Sequence, residues 1–214
     1  FLLAVLPSAV FGLPLTVTLK WAIMAGIFTF PITAYWGLRF MGYRFPAPAI
    51  GAAGAVLFLF NETYTMFGAN TLSTFAGEFC YMFAFSLFVL FIGSFYKGAS
   101  EHRWLVRNGL LLGVIGLSHL FVFIPALMLP AAAYFNGTRI RYLAGVGLVA
   151  FVCMAFWILP LAAYRHPYTT PVYMIWQEFV NLRYTMAGVL LMVMFIAPRL
   201  ALHAMANRST PRRR

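Results

Sequence analysis

Apolar residues fall into seven runs along the chain, at about 1–13, 17–38, 47–61, 79–96, 109–135, 143–164 and 186–203. An α-helix needs about 20 apolar residues to cross the hydrocarbon core of a bilayer. Several runs reach that length, which predicts an all-α, polytopic transmembrane helical bundle. The first run is short and Pro14 separates it from the second. The third carries Gly51 and Gly54 among many alanines, a pattern that allows close helix–helix packing. No internal repeat and no inter-domain linker interrupts the series, so residues 1–214 read as a single transmembrane domain. The chain opens at Phe1 inside an apolar run with no charged segment ahead of it. It reads as a fragment of a longer polypeptide, not as one starting with a cleaved signal peptide.

The run 109–135 decides the topology. Gly116-Leu117-Ser118-His119 interrupts its middle, and Pro125 and Pro130 follow. If it crosses once, the Lys and Arg residues divide seven against eight between the two sides. If it dips in and returns, one side holds twelve: Arg39, Arg44, Lys97, Arg103, Arg107, Arg139, Arg141, Arg199, Arg208 and Arg212 to Arg214. The other side then keeps three: Lys20, Arg165 and Arg183. Basic residues concentrate in cytoplasmic loops, so the second arrangement is expected. It comprises about six full spans plus a broken hairpin of two half-helices, 109–118 and 120–135. Loops 39–46, 97–108 and 136–142 and the C-terminal tail are then cytoplasmic, and loops 62–78 and 165–185 lie outside. Broken backbone at membrane depth persists only where protein or a watery cavity satisfies it, so the hairpin implies a cavity.

Composition sharpens the class. The 214 residues are 63% hydrophobic and 9% charged, with mean hydropathy +0.87. Soluble domains average about 45–50% apolar and about 25% charged. A soluble domain, a disordered tail and a disulfide-stapled module are all excluded. The net charge of +11 reads as topology signalling, and no nucleic-acid partner is expected. Cys80 and Cys153 lack a CxxC spacing, and the histidines show no ligand spacing. No metal and no cofactor is expected. The partners implied are membrane lipids, with further membrane protein subunits as an alternative.

There is no Asp, and the four acids are Glu62, Glu78, Glu101 and Glu178. Three of them fall in the two long outer loops. Asn70, Thr71 or Ser73 is placed to cap the helix after loop 62–78, and a capped helix start can bind an anion. Glu78 follows in the first turn, as a dipole-complementing or a functional carboxylate. Ser118-His119 sits at the break, where His119 either satisfies freed carbonyls or lines a cavity. Arg165 and Arg183 lie on the side poor in basic residues, which suggests binding of an anionic headgroup or phosphate.

The stretch Gly68-Ala69-Asn70-Thr71-Leu72-Ser73-Thr74-Phe75-Ala76-Gly77-Glu78-Phe79 resembles a GGN-x-x-ST-x-AGEF segment. That segment belongs to large prokaryotic membrane proteins labelled 6-pyruvoyl-tetrahydropterin-synthase-related. These look like relatives of the C-type glycosyltransferase superfamily. The run from Gly109 through Leu117-Ser118-His119 to Pro125 also resembles that superfamily's half-helix, polar break, half-helix pattern. The resemblance covers roughly residues 15–135. It implies an integral protein of the prokaryotic cytoplasmic membrane, at the cell envelope, that takes a sugar from a polyprenyl-phosphate-linked donor on the outer face. It implies groove-lining roles for Glu78 and His119. In the superfamily the general base is usually an Asp or Glu in the first outer loop, so the base here is either upstream of Phe1, absent, or one of Glu78 and Glu62. Asn70, Thr71, Ser73, Glu78, His119, Arg165 and Arg183 form the expected substrate-binding set. A transporter or flippase, and a non-catalytic membrane subunit, are the competing readings.

Overall fold

A computed structural model describes residues 2–62, 68–133 and 137–168. The chain divides into two compact units, Phe1–Leu159 and Pro160–Arg214. All packing described below lies within the first. The described residues form helices α1 (Leu2–Phe11), α2 (Leu15–Phe40), α3 (Ala47–Leu59), α4 (Thr71–Ser73), α5 (Phe79–Glu101), α6 (Leu105–Ser118), α7 (Leu120–Ala133) and α8 (Gly137–Tyr168). A wide helical turn, Thr74–Glu78, joins α4 to α5. Among the described residues three helices are long and apolar enough to cross a membrane: Leu15–Phe40, Thr71–Glu101 and Ile140–Ala163. The first and third present apolar outward surfaces, with Trp21, Phe28, Ile32, Leu148, Val152 and Phe156 exposed. The chain is therefore an all-helical integral membrane protein.

Contacts fix how the helices run. A Cβ on Gly26 would stand 2.7 Å from the Phe83 backbone nitrogen, and one on Gly37 2.8 Å from the Val89 carbonyl oxygen. Gly93 sits directly against the Gly37 backbone. The pairing advances along both chains together, so α2 and α5 are parallel and their backbones nearly touch. Midway, Ser86 Oγ lies 2.9 Å from Thr29 Oγ1 and 3.1 Å from Thr33 Oγ1, binding the two helices through hydroxyls. Helix α3 returns antiparallel, with Gly51 against Leu38 and Phe58 against Phe30.

Helix α6 runs back along α5, from Asn108 beside Ser94 to His119 beside Glu78. Tyr142, at the start of α8, is again hydrogen-bonded to Asn108. The chain between His119 and Tyr142 therefore returns over the length of α6. Helices α6 and α7 form a hairpin that turns at His119, where the backbone is extended (φ −159°, ψ 115°). Fourteen residues rise about 21 Å, short of the roughly 30 Å hydrocarbon core. Helix α8 then runs parallel to α6, with Gly109 against Val149, Gly113 against Cys153 and Gly116 against Met154. Leu112, Ile115, Val122, Ala126, Val146 and Ala150 bury themselves against Phe91 and Phe95. Arg39, Lys97, Arg103, Arg107 and Arg141 gather at one end of this bundle, and Asn61, Asn70, Glu78 and His119 at the other.

The broken run and its hinge at His119 agree with expectation, but several boundaries need correction. Helix α5 extends to Glu101 and α8 begins at Gly137, so Lys97, Arg139 and Arg141 are helical and not in loops. The last eight residues of the expected loop 62–78 are helical, because Asn70 caps them. Helix α8 continues to Tyr168, which makes Arg165 a helical residue. Of the two glycines expected to pack closely, Gly51 does, against Leu38, whereas Gly54 has nothing within 4 Å; the closest backbone approaches are at Gly26, Gly37 and Gly93. The run 186–203, Glu178 and Arg183 lie outside the described residues.

Candidate functional site

Asn70 begins the site. Its Oδ1 accepts a hydrogen bond from the Ser73 backbone at 2.8 Å, and Ser73 Oγ accepts one from the Asn70 N–H at 3.1 Å. This reciprocal cap satisfies first-turn donors that a helix start leaves open. Asn70 Nδ2 also donates to the Asn61 carbonyl at 2.5 Å, tying the end of α3 to the start of α4. Asn70 and Ser73 are fully buried. Their polar atoms build the turn, and Thr71 beside them is half-buried.

Seven residues later the helix is broken. Gly77 adopts φ 120°, ψ −9°, a backbone region that is steeply unfavourable for a residue with a Cβ. The break leaves Glu78 at the cap position of α5, where its side chain makes no capping hydrogen bond. Released from that duty, the carboxylate turns to the hairpin tip. Glu78 Oε2 lies 3.6 Å from His119 Nε2, with the two side chains 29% and 19% exposed. A second break, the extended residue between α6 and α7, carries the imidazole. Two interruptions on different helices thus present one carboxylate and one imidazole to each other.

Aromatic rings frame the pair. The Tyr81 ring meets the His119 ring edge-on, centroids 4.9 Å apart at 77°. Phe121 flanks it at 5.8 Å, and Tyr81 stacks on Phe85. His119 Nδ1 is buried with no hydrogen-bond partner. The imidazole therefore does not serve to satisfy carbonyls freed at the break. The Ser118 hydroxyl binds back to the Val114 carbonyl at 2.7 Å, and the His119 N–H keeps its helical bond to Ile115. An orphaned buried nitrogen is costly and rare. Here it sits at the point where the imidazole is oriented by a carboxylate on its other nitrogen.

Of the residues expected from sequence, Glu78 and His119 are brought together. Asn70 and Ser73 support the turn that leads to Glu78, with Thr71 in the same turn. Glu62 is exposed at the end of the described segment after α3. Arg165 lies in α8 and Arg183 outside the described residues. Tyr81 was not anticipated; its spacing of three after Glu78, one helical turn on, was the available signal. Compared with known proteins, the chain matches no family model, no curated sequence and no solved structure.

Proposed function

We propose that this protein is a membrane-embedded transferase of the C-type glycosyltransferase kind, with Glu78 and His119 at its reaction centre. The observation that carries this reading is the meeting of Glu78 and His119 at two separate helix breaks. Carboxylate and imidazole within contact distance are the groups that move protons at neutral pH. A site walled by Tyr81, Phe121 and the apolar faces of α5 and α7 suits an amphiphilic substrate with a polar head. The sugar of a polyprenyl-phosphate donor on the outer membrane face fits that description. The acceptor hydroxyl oxygen attacks the anomeric carbon and the anomeric C–O bond to phosphate breaks. Polyprenyl phosphate leaves with the electron pair, and the acceptor proton passes to the Glu78 carboxylate. His119 holds that carboxylate in place.

The same reading takes the α6–α7 hairpin as re-entrant. It counts about six full spans besides the hairpin, and it faces the bundle end rich in Arg and Lys to the cytoplasm of a prokaryotic cell. Support comes from the charge count and from the hairpin's return to the basic end.

Transfer of label from a polyprenyl-phosphate hexose by the purified full chain tests the proposal. Glu78→Gln is expected to lower the rate about 100-fold or more, the usual contribution of a general base. Full activity in that variant, or no turnover by the wild type, overturns it. A second reading, lipid or solute transport, gains from the presence of two broken helices that face each other, a device of transporter binding sites. Proteoliposomes separate the two: a transporter moves the labelled donor across the bilayer uncleaved.

A further inference from the structure

We infer that a cavity at the basic end of the bundle holds the phosphate of an anionic phospholipid headgroup. The cavity, about 310 Å³, opens between the C-terminal ends of α2 and α5, with Arg39, Lys97, Tyr96, Ser100 and Glu101 among its lining residues. It lies at the opposite end of α5 from Glu78 and does not depend on the function proposed above.

Three features point to this ligand. Arg39 and Lys97 both line the cavity, and among the described residues neither forms an ion pair with Glu101 or any other acid.

Aromatic rings, not an acid, hold Lys97 in place, and they hold Arg107 behind it. Lys97 Nζ stands 4.9 Å from the Trp104 ring centroid and 5.9 Å from that of Phe40. Arg107 Cζ stands 4.1 Å from Trp104 and 5.1 Å from Phe40. Ring contacts fix a cation while leaving its charge unneutralised, so an arriving anion meets a preset positive rim.

The depth is right for a headgroup. Trp36 and Tyr43 are 48% and 46% exposed beside the cavity, and exposed Trp and Tyr mark the membrane–water boundary. Ile32 and Trp36 continue the exposed surface of α2 away from Arg39, which gives an acyl chain an apolar path below the cavity. Basic pockets between membrane helices at this level bind anionic headgroups. A free phosphate would use the same cations and ignore the apolar path.

Native mass spectrometry of the purified full chain, with phosphatidylglycerol, phosphatidylcholine and inorganic phosphate as probes, tests the site. Phosphatidylglycerol is expected to be retained about tenfold more tightly than phosphatidylcholine. The R39Q/K97Q variant is expected to weaken that retention about 30-fold, from about 1 kcal/mol per basic residue. Glu101→Gln, which removes the rim acid, should strengthen it about fivefold on the same scale. This arm remains decisive if the double variant fails to fold. Equal retention of both lipids, unchanged retention in R39Q/K97Q, or no gain in E101Q overturns the inference. So does displacement of the lipid by millimolar inorganic phosphate, which would assign the cavity to a soluble anion.

Discussion

Glu78 and His119 stand 3.6 Å apart because each sits at a place where its helix has been interrupted. An unbroken helix from Asn70 would give Glu78 a different direction, and an unbroken 105–133 helix would carry His119 past α5. The pairing follows from the two breaks together, and its energy can be measured without knowing the substrate. A double-mutant cycle on E78Q, H119Q and the double variant, read as thermal midpoint in detergent, is expected to show a coupling of about 1 kcal/mol for a partly exposed pair. Strict additivity would mean that the proximity has no energetic content.

Gly77 is the hinge on which Glu78 depends. A Cβ at φ 120° costs on the order of 1–3 kcal/mol. Gly77→Ala is expected to lower the melting temperature and to abolish the Glu78–His119 coupling, because relief of the strain redirects residue 78. The space around Gly77 is open, with nothing within 4 Å, so a steric clash does not explain such a loss. A Gly77→Ala protein that keeps the full coupling would show that the turn tolerates a side chain.

Much of this arrangement was legible in the sequence. Hydropathy located the cores of α2, α3, α5 and α8, the Gly116-Leu117-Ser118-His119 interruption located the break, and the charge count favoured a return over a single crossing. Asn70, Thr71 and Ser73 announced a cap by residue type, but which of the three forms it was settled only by the fold, where Asn70 does. Helix ends were less legible. Hydropathy reports where lipid ends, whereas backbone hydrogen bonding continues into water, so α5 runs on through Lys97 and α8 begins before Arg139. Partners across helices were not legible. Nothing in the pattern tells Gly54, which faces open space, from Gly93, which lies on the Gly37 backbone. Nor does one chain position show that Tyr142 will meet Asn108.

That difference between glycines gives a paired experiment. A methyl group at Gly93 must displace the backbone of α2, and overpacking of this kind costs about 1–3 kcal/mol. Gly93→Ala is expected to lower the thermal midpoint clearly. Gly54→Ala adds its methyl to open space on an exposed helix face. It is expected to be neutral or to stabilise by up to about 1 kcal/mol through helix propensity. If both variants behave alike, the close approach of α2 and α5 is not a determinant of stability.

The basic end is held by buried polar groups that leave no donor idle. Asn108 and Ser94 are fully buried. Asn108 Nδ2 donates to the Ser94 carbonyl at 3.2 Å and to Tyr142 Oη at 2.8 Å. Tyr142 Oη in turn donates to the Arg103 carbonyl at 2.6 Å, and Ser94 Oγ donates to Asn108 Oδ1. Arg107 adds a bond to Ser94 Oγ at 3.0 Å. This network joins α5, α6 and α8 and pins the turn at Arg103, whose neighbours His102 and Trp104 both have positive φ (51° and 61°). Tyr142→Phe removes one hydroxyl and strands a buried amide hydrogen and a carbonyl. The expected cost is about 1–3 kcal/mol. Asn108→Leu removes the amide itself and strands the Tyr142 hydroxyl as an acceptor and Ser94 as a donor, with a similar cost. Because the two residues share one bond, the double variant is expected to cost less than the two single losses combined. Full additivity, measured by thermal unfolding in detergent, would mean that Asn108 and Tyr142 act through separate contacts and that the return of the hairpin to α8 is fixed elsewhere.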